Sequence, residues 1–169
     1  MAGAAARRGG RRAPRSRGLT SVRALVQRVS RAEVRVSGER VGAIGRGLLV
    51  LLGVAPDDDQ ATADALARRI VELRIHEDAG GRTNLALGDV GGAVLAVSQF
   101  TLYADTRRGR RPGFAGAAPP AHAEKLYRRF CDAVAATGTR IERGRFGAAM
   151  AVELVNDGPF TIWLDSAER

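Results

Sequence analysis

A chain of 169 residues with 45% hydrophobic composition can bury the core of one domain and is short for two. No apolar run approaches the roughly 20 residues of a membrane-spanning helix, and the single cysteine, Cys131, excludes an internal disulfide and a zinc site built on cysteine pairs. The net charge of +9 points toward nucleic acid, yet Arg7, Arg8, Arg11, Arg12, Arg15 and Arg17 carry six of those charges and Lys125 is the sole lysine, so the arginine excess reads as a compositional habit. A protein of the reducing cytoplasm, with no membrane association and no cofactor, is expected.

Residues 1–21 are rich in Ala, Gly and Arg and lack apolar periodicity, which predicts a disordered extension. It contains no apolar stretch of a secretory signal, and the ordered pattern starts at Val22, so an upstream mis-start is one account of the extension. The domain is expected over residues 22–166. From Arg23 to Val29 apolar residues alternate as in a strand, with Leu25, Gln27 and Val29 on one face. Ala32 to Ser37 and Arg40 to Ile44 read as a hairpin around Gly38-Glu39. Leu48 to Val54, apolar on both faces, reads as a central strand. Asp57-Asp58-Asp59 supplies acid at a helix start, and Ala63, Leu66, Ala67, Ile70 and Leu73 continue at helical spacing to about Ile75.

Gly80-Gly81 predicts a turn, and Ala93 to Ser98 a second buried strand. An irregular segment follows, through Asp105 to Ala118. Pro119-Pro120 opens a second helix with Leu126, Tyr127, Phe130 and Val134 on its apolar stripe, and Gly138 ends it. Met150 to Val155 and Phe160 to Leu164 read as the last two strands. The sum is a single mixed α/β domain, a largely antiparallel sheet or barrel with two main helices on one side.

Familiar catalytic constellations are missing. His76 and His122 are the only histidines, and neither stands at metal-ligand spacing from the other. Ser98 lies outside a Gly-x-Ser-x-Gly elbow. Two polar segments at strand ends remain. Ser98-Gln99-Phe100-Thr101 follows a buried strand, where backbone N–H groups can be aimed at a ligand, although Ser and Thr also satisfy the backbone there and Phe100 also fits a core. Asn156-Asp157-Gly158-Pro159 stands between two strands and reads by default as a turn.

Together, Ser98-Gln99-Phe100-Thr101-Leu102 and Asn156-Asp157-Gly158-Pro159 resemble, in order, the two signature motifs of the D-aminoacyl-tRNA deacylases. The similarity extends to Gln27-Arg28-Val29-Ser30-Arg31-Ala32, to Gly47 through Gly53, to Arg107 through Pro112, and to Gly144-Arg145-Phe146 with Met150. It runs from about Val22 to Leu164. Departures are small: Gly113 stands where serine is common, Ala149 where a polar residue is common, and Phe160 where valine is usual.

The resemblance implies hydrolysis of the ester of D-aminoacyl-tRNA, and of glycine mischarged on tRNA(Ala), by a homodimer whose active site lies at the subunit interface. In that family the Gly-Pro bond is cis. Gly158 and Pro159 would reach from one subunit into the other's site, hold the α-amino group and exclude L side chains. The 2′-OH of the terminal adenosine would activate water, while N–H groups around Gln99 and Phe100 stabilise the oxyanion. Ser98 would orient the loop, and Thr101 would orient rather than attack, since no base stands beside it. Phe146 and Met150 would pack on the adenine, with ordinary core packing as the other reading. Arg28 would brace the Gly-Pro loop. Arg107, Arg108, Arg110 and Arg111 would meet acceptor-stem phosphates. Two other readings stay open: a non-catalytic nucleic-acid-binding protein on the same fold, and a serine or threonine esterase.

Overall fold

The computed structural model describes residues 21–168. The strands in chain order are β1 (Arg23–Val36), β2 (Glu39–Ile44), β3 (Gly47–Gly53), β4 (His76–Glu77), β5 (Thr83–Leu85), β6 (Ala93–Ser98), β7 (Ile141–Arg143) and β8 (Ala151–Asp165), and the helices are α1 (Gln60–Val71) and α2 (Pro120–Ala136). All but β4 and β5 belong to one six-stranded sheet.

β1 is one strand where the sequence predicts two. The polar run at Ser30-Arg31 is a bulge: from Val29 to Arg31, β1 advances two residues while β8 advances one, from Asn156 to Val155. Past this point β1 exchanges one neighbour for another on the same edge, leaving β3, which pairs Arg23 to Val29, for β2, which pairs Ala32 to Val36. β8 runs antiparallel along its other edge. β3, β6 and β7 are mutually parallel neighbours. Parallel neighbours need crossover connections, and α1 and α2 lie within the two crossovers. Since β3, β6 and β7 step across the sheet in one direction, connections of one hand lay both helices on one face.

The core accordingly has two main parts, with a small third cluster at Val54, Ala118 and Leu126. Leu48, Val50 and Leu52 of β3 pack under the helices with Leu66, Ile70, Phe130 and Val134. Leu49, Leu95 and Val97 point the other way, into a second cluster with Val29, Val34 and Ile44, where the sheet curls on itself toward a barrel. A strand buried on both faces must be apolar on both, which explains the unbroken Leu48-to-Leu52 run.

Asp59 caps α1, its carboxylate accepting from the Thr62 amide at 2.8 Å and the Thr62 hydroxyl at 2.7 Å. The helix stops at Val71, a turn short of the predicted Ile75. Ile75 is buried in the non-helical segment leading to the β4–β5 hairpin, whose strands of two and three residues are too short to leave a periodic signal. Of the predicted extension, residues 1–20 lie outside the described residues. Ser21 belongs to the fold, its hydroxyl donating to Asp165 at 2.6 Å and its carbonyl accepting from the Tyr103 hydroxyl.

Candidate active site

β6 ends at Ser98, and the parallel ladder outlives it by one residue: the Gln99 amide donates to the Leu52 carbonyl at 2.7 Å. Gln99 is therefore no oxyanion donor through its backbone, contrary to the sequence-based expectation. Phe100–Tyr103 then winds into a single 3-10 turn. Among the described residues the Phe100 and Thr101 amides have no acceptor, because they are the leading N–H groups of that turn. The unbonded amides thus lie one residue on from the Gln99–Phe100 pair expected. The Gln99 side-chain amide donates to the Thr101 hydroxyl. Phe100 is 56% exposed, which rules out the core reading for its ring.

Next to this turn opens a cleft of about 400 Å³, lined by Ser98, Gln99, Phe100, Tyr127, Phe146 and Met150 among others. Phe146 and Met150 belong to different core clusters, so the cleft floor follows their seam. Tyr127 leans on Phe146, ring centroids 6.0 Å apart, and its buried hydroxyl donates to the Ala96 carbonyl at 2.8 Å. A Cβ on Gly144 would stand 2.7 Å from the Met150 sulfur, so glycine there keeps the methionine in place. Tyr127 was legible only as one member of a helical stripe.

Asn156 to Thr161 forms a bulge inside β8, where five steps of β8 face two of β1, Gln27 to Val29. The expected turn between two strands is thus an interruption of one long strand. The Gly158-Pro159 peptide is cis. Gly158 has φ +144°, and a Cβ there would approach the Phe160 nitrogen to 2.9 Å, so conformation and space both demand glycine. The bulge is held from two sides. Asn156 accepts from the Phe160 amide at 2.7 Å and donates to the Thr161 hydroxyl at 2.9 Å. Arg28, only 6% exposed, donates to the Asp157 carbonyl at 2.8 Å and the Ile75 carbonyl at 2.6 Å, faces the Asp157 carboxylate at 3.5 Å, and lies 4.8 Å from the Phe160 ring centre. A buried guanidinium with two carbonyl acceptors and one carboxylate is a satisfied cation. None of residues 156–160 lines the cleft.

Among the arginines after the turn, Arg107 grips Asp105 through paired contacts of 2.8 and 2.7 Å, which hold the carboxyl well below the usual carboxylate range. Arg108, Arg110 and Arg111 are exposed with no ion pair among the described residues. Asp105 and Gly113 bond each other's backbones at 2.8 and 2.9 Å and close this loop at its base.

The remaining reactive groups are spent or shielded. Burial pushes the Cys131 thiol up to about 11. His122 Nε2 sits 3.0 Å from the Asp58 carbonyl, pinning the start of α2 to the loop before α1 instead of facing solvent. His76 is buried with neither ring nitrogen bonded, and burial first, then Arg46 and Arg28, depresses its pKa below 6.5. Among the described residues, Ser98 is the one serine, threonine or cysteine lining the cleft, and no basic side chain bonds it.

Comparison with known proteins identifies the scaffold. The family described as D-Tyr-tRNA(Tyr) deacylase matches residues 25–165. The D-aminoacyl-tRNA deacylase of Symbiobacterium thermophilum is 60% identical over 145 residues, 86% of this chain and 96% of that protein. Its counterpart in Anaeromyxobacter dehalogenans is 61% identical over 145 residues, 86% of this chain and 97% of its own. Among solved structures, the c-Myc DNA Unwinding Element Binding Protein superposes with TM-score 0.79 at 42% identity, covering 84% of this chain and 97% of that one. A probable eukaryotic D-amino acid tRNA deacylase shares the fold, with TM-score 0.74 at 20% identity over 86% of this chain and 99% of its own. The relatives define a hydrolytic enzyme. The chain belongs to the D-Tyr-tRNA(Tyr) deacylase family.

Proposed function

We propose that the protein hydrolyses the ester of D-aminoacyl-tRNA, and of glycyl-tRNA(Ala), by binding the aminoacyl-adenosine end in the Ser98–Met150 cleft. The observation that carries this reading is the pair of unbonded amides, Phe100 and Thr101, in the turn beside a mainly apolar cleft whose lining holds no nucleophile–base pair. Two such donors suit the developing oxyanion, each contributing about 3 to 4 kcal/mol to the transition state. With no side-chain base at hand, the terminal 2′-OH activates the water. An activated ester asks little more of its catalyst. Phe146, Met150 and Tyr127 make an apolar bed for the adenine.

Selection of the hand falls to Gly158 and Pro159. Their bulge stands clear of the cleft in its own chain and is exposed, which supports delivery into the site of a second subunit, as does the outward face of β8 with its half-exposed Val155 and Trp163. Carbonyls on that bulge hold the α-amino group. A D side chain then leaves toward solvent, and an L side chain strikes the Pro159 region. Arg108, Arg110 and Arg111 supply cations for the acceptor-stem phosphates.

The test is hydrolysis of D- and L-tyrosyl-tRNA by the wild-type chain and by Gly158→Ala. The wild type should cleave only the D form, and the variant should lose discrimination while keeping a folded thermal transition. Full protection of L-tyrosyl-tRNA in a folded variant would overturn the role of Gly158. The naming of one structural neighbour for DNA binding favours a second reading, nucleic-acid binding without catalysis, which predicts RNA binding with no turnover of D-tyrosyl-tRNA.

A further inference from the structure

Outside β8, the large apolar side chains most exposed in the described chain are Phe100, at 56%, and Phe114, at 36%, and they touch. Their ring centroids are 5.0 Å apart at 72°, an edge-on pair that leaves ring faces uncovered where a stacked pair would have hidden two. Phe100 forms part of the cleft wall. Phe114 directly follows the Asp105–Gly113 bridge at the base of the loop bearing Arg108, Arg110 and Arg111. Cleft, aromatic pair and unpaired arginines thus follow one another along a single stretch of surface. Aromatic faces beside a basic loop form the arrangement that holds single-stranded nucleic acid, the rings taking bases and the cations taking phosphates.

We propose that Phe114, packed against Phe100 in a T-shaped pair, is a stacking platform for the base of the nucleotide preceding the terminal adenosine. The inference rests on the assignment of the cleft to the aminoacyl-adenosine. With that adenosine seated, the preceding nucleotide leaves the cleft over its rim, and a π-face there accepts whatever base arrives. The platform contributes to binding and register of the RNA end, not to the chemical step. A minimal aminoacyl-adenosine has no base to place on it.

Kinetics of D-tyrosyl-tRNA and of 3′-D-tyrosyl-adenosine, measured with wild type, Phe114→Ala and Phe114→Tyr, test the platform. Phe114→Ala should raise KM for the tRNA about tenfold at unchanged kcat, leave the adenosine ester unaffected, and be rescued by Phe114→Tyr. D-tyrosyl-tRNA lacking the penultimate base should show the same loss with the wild type and no further loss with Phe114→Ala. Equal effects on both substrates, no effect on either, additive losses on the abasic tRNA, or a change of oligomeric state in Phe114→Ala would each overturn the proposal, the last by showing that a second copy covers the ring. A wild type inactive on both substrates would instead bring down the cleft assignment and the platform with it.

Discussion

The turn after Ser98 and the bulge around Gly158 are both places where a β-ladder is interrupted, yet they are interrupted in opposite ways. At Ser98 the parallel ladder simply runs out, and a 3-10 turn exposes two N–H groups that no neighbour claims. At Gly158 a long strand bulges outward, held by the buried Arg28 on one side and the half-buried Asn156 on the other. One region is therefore a set of donors defined by what it lacks. The other is a rigid projection defined by what holds it. A site needing an oxyanion hole and a stereochemical wall has use for both, and neither depends on a reactive side chain.

The sharpest break is Arg28→Ala, which strands the Asp157 and Ile75 carbonyls and removes the support of the bulge. It should cost about 3 kcal/mol of stability, seen as a lower Tm, and reduce D-tyrosyl-tRNA hydrolysis at least a hundredfold, while Arg28→Lys recovers only part of either. On the donor side the test is positional. A Cβ at Gly53 would lie 3.0 Å from the Tyr103 ring and 3.1 Å from the Gln99 carbonyl, so Gly53→Ala nudges the turn by tenths of an ångström. It should lower kcat about tenfold with little change in Tm, since catalytic donors tolerate displacement poorly.

His76 makes a subtler contrast. Its folded pKa is depressed by burial and by Arg46 and Arg28, against a smaller opposing pull from Asp157. The neutral ring is thus favoured in the fold, so its contribution to stability is complete above 6.5 and is lost as pH falls toward the lowered folded value. The charge then forms beside the Arg28 brace. Tm measured from about pH 8 to about pH 5 should fall on the acid side in the wild type and fall less in His76→Phe. The smallest effects belong to Arg108→Ala, Arg110→Ala and Arg111→Ala. Each should weaken tRNA binding a few-fold and reduce the salt dependence of binding by roughly one unit of slope, leaving the adenosine ester untouched.

Much of this was legible in the residues. The helices announced themselves through Asp59, Pro120 and Gly138, and β3 through its unbroken apolar run, because caps and burial on two faces leave local marks. Both polar segments stood out as unexplained chemistry at strand ends, and the resemblance ranked them above ordinary turns. Other features left no such mark. The β4–β5 hairpin is too short for periodicity, β1 looked like two strands because a bulge and a polar gap are the same thing in sequence, and Phe100 looked as apt for a core as for a rim.

By itself, then, the sequence determined the family, the element types and the two motifs, since these depend on local pattern and on residue identity. Only the tertiary structure decided which amides stay free. That outcome turns on Leu52, 47 positions before Gln99, consuming one N–H and leaving the next two. It likewise decided that Arg28 is buried beneath Asp157 and that the bulge stands apart from its own cleft. Hydrogen-bond partners and burial are settled by chain segments meeting across the fold, and no window of sequence contains both sides of such a contact.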